Sequence, residues 1–257
     1  MSEPPNLPDI LAARLARVRA LTPARLFAGR AGSSYRTETM LELRADHAAA
    51  VDAVHAEFDL SHDLGADFVA RWGLLEVVTR ATTRAEYLRR PDLGRSLDPA
   101  SLDAVRRLPH GADLQVVIGD GLSVTAVVAQ VPALLPLLFE GAAARGLTVG
   151  RPFFVRNARV GVLNDIGPVV AAKVVVLLVG ERPGLATADS LSAYLAYRPG
   201  PGRTDADRNL VSNIHARGTP PAEASARVLA LVAAMIRRET SGVALKEGDP
   251  KPLNDGR

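Results

Sequence analysis

Glu181 is the polar residue of this 257-residue chain best placed to do chemistry. It follows the apolar run Val174–Val179 after one glycine, Gly180, with Arg182 beside it and Pro183-Gly184 turning the chain. A carboxylate at the end of a buried strand can accept hydrogen bonds from a ligand's amide or hydroxyl groups. It can equally form a surface ion pair with Arg182 or Arg208, a contact worth little. The residue types alone weigh the two readings alike. Asp120-Gly121-Leu122-Ser123 is a second candidate, where a strand hands over to a helix. Such a turn can receive a phosphate, but it is not G-x-G-x-x-G. An ordinary turn with Ser123 capping the helix is the favoured reading. Asp205 and Asp207 lie in a G-P-G-R-T-D loop and read as solvated or capping. His47, His55 and His62 lack metal-site spacing to nearby acids. Neither G-x-S-x-G nor H-E-x-x-H occurs, and with no cysteine there is no thiol nucleophile, thiolate metal site or disulfide. No catalytic and no metal-ligating residue is therefore assigned.

These groups need elements to hold them. Leu7, Ile10, Leu11, Leu15, Val18 and Leu21 fall on one face of a helix over residues 7–21, with Asp9 after Pro8 near its start. That face either docks on a partner subunit or packs on its own domain. Residues 22–35 form a Gly-rich loop, 36–56 a helix, and 84–90 and 99–107 short helices around a P-D-L-G turn. From about residue 112 the pattern changes. Leu114–Ile118, Pro152–Arg156, Val174–Val179, Ser192–Tyr197 and Leu210–Ile214 read as strands. Val160 belongs to an extension of the second of these or to a loop beyond it. Helices follow over Thr125–Arg145 and Pro221–Arg238, the latter with Thr219 as its N-cap. The fold class is α/β: a largely helical N-terminal region, 1–110, then a Rossmann-like, mainly parallel-sheet domain, 111–257.

Composition bounds the partners. Hydrophobic residues make up 47% of the chain, enough for a substantial core. The formal charge of +3 comes from 28 Arg and 3 Lys against 28 acids, scattered and not interleaved with aromatics. Nucleic-acid binding is not expected. The apolar stretch Val169–Val179, broken by Lys173, is too short to span a bilayer. The N-terminus is Pro-rich and then Arg-studded, without the apolar core of a secretory signal.

Several motifs together carry a family resemblance. G-E-R-P-G-L at Gly180–Leu185 and S-N-I-H at Ser212–His215 are the most informative. Others are G-R-A-G at Gly29–Gly32, L-L-E-V at Leu74–Val77, R-P-D-L-G-R at Arg90–Arg95 and S-G-V at Ser241–Val243. Over residues 20–246 the chain resembles the small (light) subunit of ethanolamine ammonia-lyase, an adenosylcobalamin enzyme. The resemblance implies a role in converting ethanolamine to acetaldehyde and ammonia, with radical chemistry from cobalt–carbon homolysis. It implies a hetero-oligomer with a large β/α-barrel subunit that carries the substrate pocket. The small chain would then be active only in that complex and would contribute binding. Free cytoplasm is expected, with encapsulation in a bacterial microcompartment through the 7–21 helix as the alternative.

The resemblance also implies three cofactor-contacting positions. Glu181 is the Glu of G-E-R-P-G-L, Val160 the Val of the R-V segment, and Leu210 the residue three before Asn in x-x-S-N-I-H. Some members have Cys where this chain has Leu210, which points to a van der Waals or backbone contact and not thiol chemistry. Asn213-Ile214-His215-Ala216-Arg217-Gly218 is a near miss to D-x-H-x-x-G, the motif of proteins whose histidine replaces cobalamin's own base. The orienting carboxylate is missing at position 213. Base-on adenosylcobalamin is therefore expected, with His215 structural or a hydrogen-bond donor to the residues that touch the cofactor. A different class of function, a stand-alone non-enzymatic α/β module binding a phosphate-bearing ligand, would rest on the G-D-G-L-S turn.

Overall fold

The computed structural model describes residues 7–21, 26–184 and 188–246. Residues 22–25 of the expected Gly-rich loop and Leu185 lie outside the described residues, as do the side chains of Leu7 and Asp9.

The chain opens with α1 (Leu7–Ala20), a short hairpin of β1 (Arg30–Ala31) and β2 (Ser34–Tyr35), and α2 (Thr37–His55). Both helices form where expected, but none of their described apolar residues is buried. No residue of α2 is buried, and Leu11, Val18, Leu21, Met40, Leu41 and Val51 are exposed. The next stretch holds elements that the sequence pattern did not announce. These are α3 (Leu60–Asp63), α4 (Ala66–Trp72) and β3 (Leu75–Val78). Each is short, so periodicity had few residues in which to register. Asp59 caps α3 by accepting the N–H of His62 at 2.8 Å. Then come α5 (Arg84–Arg89) and α6 (Pro99–Arg106), capped by Thr83 and Asp98.

The remaining elements are β4 (Leu114–Gly119), α7 (Val124–Ala143), β5 (Phe153–Arg156), α8 (Leu163–Val170), β6 (Val174–Gly180), β7 (Leu191–Tyr197), β8 (Asn209–Ile214) and α9 (Pro221–Arg238). Six strands form one sheet in the order β3-β5-β4-β6-β7-β8. The pairings among β3, β5, β4 and β6 are parallel; β7 and β8 add antiparallel edges. The fold is thus α/β with a mostly parallel sheet, and its first strand comes from upstream of residue 110.

Strands β4 and β6 are buried at every position, which explains their apolar sequence; the polar exception, Gln115 of β4, donates to the Val116 and Arg151 carbonyls at 2.9 Å each. On one face Val116, Ile118, Val176 and Leu178 pack against α7 and α9. On the other face Val117, Val155, Val175 and Leu177 pack under α6 and α8. Helix α7 is, among the described residues, long and apolar enough to cross a membrane. Its Val127, Val131, Leu134, Leu135 and Leu138 are all buried in the core instead. Helix α9 begins as expected, with a different cap: Pro220 stands at the N-cap and makes no side-chain bond. Thr219 is drawn into backbone pairing, donating its N–H to the Asn213 carbonyl at 2.8 Å.

Candidate functional site

The carboxyl ends of β4, β5 and β6 meet along one edge of the sheet, the usual place for ligand groups in α/β proteins. Antiparallel pairing of Gly180 with Leu191 brings the start of β7 to the same edge. Across β7 and β8, Tyr194 lies directly opposite Leu210. Here Leu210 is 44% exposed on the sheet face. A cleft of about 350 Å³ opens at this point. Val160, Glu181 and Leu210 all line it, so the three positions expected from sequence are brought together. Val160 sits neither in β5 nor in a plain loop but in a 3₁₀ turn, Val160–Val162, leading into α8.

The floor of the cleft is organised by Asp120. Its carboxylate accepts the N–H groups of Gly121 at 2.8 Å, Asn157 at 2.9 Å and Ala158 at 3.0 Å. One side chain thereby ties the turn after β4 to the segment that carries Val160. Burial pushes the Asp120 carboxyl up, against the pull of these N–H groups and of Arg84, whose Nη1 is 3.6 Å away. Arg84 also donates to the carbonyls of Gly121 and Val54, each at 2.8 Å. The turn itself depends on two glycines. Gly121 has φ +60°, and a Cβ there would overlap the backbone of Gly180; one on Gly180 would overlap the Ser123 and Asp120 carbonyls. Ser123 caps α7 by accepting the Ala126 N–H at 3.2 Å, and its hydroxyl donates to the Ala188 carbonyl. The capping reading of this turn holds.

Glu181 is not in an ion pair with Arg182 or Arg208. Its Oε1 accepts the Ser192 hydroxyl at 2.6 Å and the Asn213 N–H at 2.8 Å, and its Oε2 accepts the Ser190 hydroxyl at 2.8 Å. Arg208 pairs with Asp205 instead, and Asp207 closes a capping box with Thr204. The carboxylate is thus pre-oriented by β7 and β8, with acceptor capacity left over. Buried His215 is bonded on both ring nitrogens. Its Nδ1 accepts the Arg217 N–H at 3.3 Å, so Nε2 carries the proton and donates to Asn213 Oδ1 at 2.8 Å.

Sequence reasoning took Asp120 only as part of an ordinary turn and missed Arg84, Tyr87, Ser192 and Tyr194. Tyr87 is fully buried against the cleft, donates to the Ala158 carbonyl at 3.1 Å, and is flanked by Arg84 and Arg159. Burial drives its hydroxyl pKa upward, so it stays protonated. Burial, with Glu181 nearby, also raises that of Tyr194. The period-two spacing of Ser192 and Tyr194 was a usable signal, since it sets both on one strand face. Among the described residues no group of acids and histidines could hold a metal ion.

Fold and site define a class: an α/β protein with a ligand cleft at the carboxyl edge of its sheet, beside an antiparallel pair that α9 covers on one face and that opens to the cleft at Tyr194 and Leu210 on the other. A family model described as "Ethanolamine ammonia-lyase light chain (EutC)" matches residues 12–246. An ethanolamine ammonia-lyase small subunit of Bradyrhizobium diazoefficiens is 47% identical over 238 residues, covering 90% of this chain and 89% of that one. The protein of that name from Fusobacterium nucleatum is 45% identical over 226 residues (88% and 75%), and that of Clostridium perfringens 42% over 230 residues (89% and 76%). The chain belongs to the ethanolamine ammonia-lyase light chain family.

Proposed function

We propose that this chain is the small subunit of an ethanolamine ammonia-lyase that converts ethanolamine to acetaldehyde and ammonia, and that it helps hold base-on adenosylcobalamin against a large catalytic subunit. One observation carries the reading: Val160, Glu181 and Leu210, remote in sequence, line one cleft. The cleft suits the group. The Glu181 carboxylate can accept from peripheral carboxamides or a ribose, and Val160 and Leu210 offer apolar surface to a macrocycle. When bound, the cofactor supplies the hydrogen-abstracting radical chemistry. This chain's residues bind and orient. Engagement of both His215 nitrogens supports the base-on state.

The uncovered apolar residues of α1 and α2 support a docking role for the region 1–110. A cytoplasmic enzyme complex fits this arrangement, and the exposed α1 leaves encapsulation in a microcompartment as a second destination. The phosphate-module reading is less well supported, because the Ser123 hydroxyl and the Asp120 carboxylate are already engaged within the protein.

Co-expression with the large subunit tests the proposal. A complex that binds adenosylcobalamin and releases ammonia from ethanolamine is expected. A stable monomer that takes up a phosphate-bearing ligand and ignores the large subunit would overturn it.

A further inference from the structure

A second, larger cleft of about 740 Å³ adjoins the first through Arg159, Val160 and Tyr194. Its character is cationic. Arg95, Arg159, Arg203 and Arg208 line it, against Asp165 and Asp205. Both acids are already engaged: Asp165 accepts the Leu97 N–H at 3.0 Å, and Asp205 pairs with Arg208. Arg203 is paired to Asp207 at 3.2 Å. Arg159 has no carboxylate partner among the described residues. Its Nη2 donates to the Tyr87 carbonyl at 3.2 Å, its guanidinium lies 4.1 Å from the Tyr87 ring centre, and its Nε is buried without a partner. Arg208 has a side chain only 5% exposed and likewise a buried Nε without a partner. Arg95, which packs over Gly161, makes no ion pair and no side-chain hydrogen bond among the described residues. Arg95 and Arg159, with no carboxylate partner among the described residues, are short of negative charge, and a phosphate oxygen supplies it with charge-assisted bonds; Arg208, whose charge Asp205 offsets, can add a donor through its unpartnered Nε.

We propose that this basic cleft receives the phosphodiester of the cobalamin nucleotide tail, through Arg95, Arg159 and Arg208. The inference rests on the cofactor reading above. Cobalamin is fringed by neutral amides, and the phosphodiester is its one anionic group. A ligand seated at Glu181 and large enough to pass Tyr194 would bring that group into the neighbouring cleft, whose volume leaves room for the attached sugar.

The test uses the complex with its large subunit and two probes that differ only in the phosphate: adenosylcobinamide phosphate and adenosylcobinamide. Equilibrium binding is measured by competition against cobalamin. The wild-type complex should prefer the phosphate-bearing probe by roughly tenfold to a hundredfold. Arg95→Gln should reduce that preference while leaving adenosylcobinamide affinity unchanged; Arg159→Gln, whose side chain also lines the first cleft, should weaken the phosphate-bearing probe more than adenosylcobinamide. Arg95 is exposed and unpaired, so its variant keeps the test valid if the others fold poorly. Equal binding of both probes by wild type would overturn the phosphate assignment while leaving the cofactor reading intact. So would variants that weaken both probes alike, or that weaken subunit assembly instead, which would mark the cleft as a protein interface. Binding of neither probe nor cobalamin would sink the cofactor reading and this inference with it.

Discussion

Glu181 Oε1 accepts the main-chain N–H of Asn213 at 2.8 Å, fastening the end of β6 to the end of strand β8. Asn213 stands there at φ +59°, and its side chain accepts from His215. The carboxylate therefore serves both the cleft and the strand that forms its wall. Glu181→Ala is expected to lower cofactor affinity of the complex by roughly tenfold to a hundredfold, since a bond to a charged acceptor is worth about 1.5–3 kcal/mol. It should also speed hydrogen exchange of the Asn213 amide. Glu181→Gln keeps an acceptor oxygen and should be milder on both counts. Unchanged affinity in both variants would leave the residue a purely structural clamp.

Leu210 faces Tyr194 across the β7–β8 pair and is open to solvent in the free chain. Covering it with a macrocycle removes apolar surface from water. Leu210→Ala should cost about 1 kcal/mol, roughly fivefold in affinity, and Leu210→Asp considerably more. Leu210→Cys should stay near wild type, because the position provides contact and not a thiol. Isothermal titration of the complex decides the order of the three.

His215 has no free ring nitrogen for a metal, since Asn213 and Arg217 occupy both. The axial nitrogen should therefore come from the cofactor's own base. Electron paramagnetic resonance of the cob(II)alamin state, with histidine labelled with ¹⁵N, should show unchanged superhyperfine splitting, in wild type and in His215→Ala alike. A splitting that changes on labelling would make a protein histidine the ligand.

The chain alone should release no ammonia from ethanolamine with adenosylcobalamin present. Among the described residues the cleft offers a bound carboxylate, tyrosines that stay protonated and apolar contacts, but no group poised for proton transfer. Turnover by the purified chain, free of large subunit, would contradict this.

Asp113 predicts an acid-side loss of stability. Its carboxylate is bonded to Lys173 at 2.8 Å and to the backbone and hydroxyl of Thr148 at 2.9 Å each. These hold its pKa at about 2, below the ordinary 3.8. A folded-state value below the unfolded one stabilises the fold above the unfolded pKa, and that gain disappears as pH falls from 3.8 toward 2. After allowance for solvent screening, Asp113→Asn should cost about 1 kcal/mol at pH 7. In urea denaturation, the gap between wild type and variant should narrow steadily below pH 4.

The sequence by itself determined the elements whose pattern is long or saturated. The apolar runs of β4 and β6 are interior strands because only burial on both faces tolerates them, and α9 begins where Pro221 permits. Motif resemblance singled out Val160, Glu181 and Leu210, but no spacing could place them together. That was decided by the crossover order β5-β4-β6 and the antiparallel return of β7 and β8, which depend on contacts between residues far apart in the chain. The same holds for Asp120 and Arg84. A single acid after a strand looks like any turn residue, and its burial beneath Asn157 and Ala158 exists only once β4 and β5 lie side by side. Short elements such as β3 and α8 were invisible for a related reason: four to eight residues carry too little periodicity, and the packing of neighbours decides their conformation.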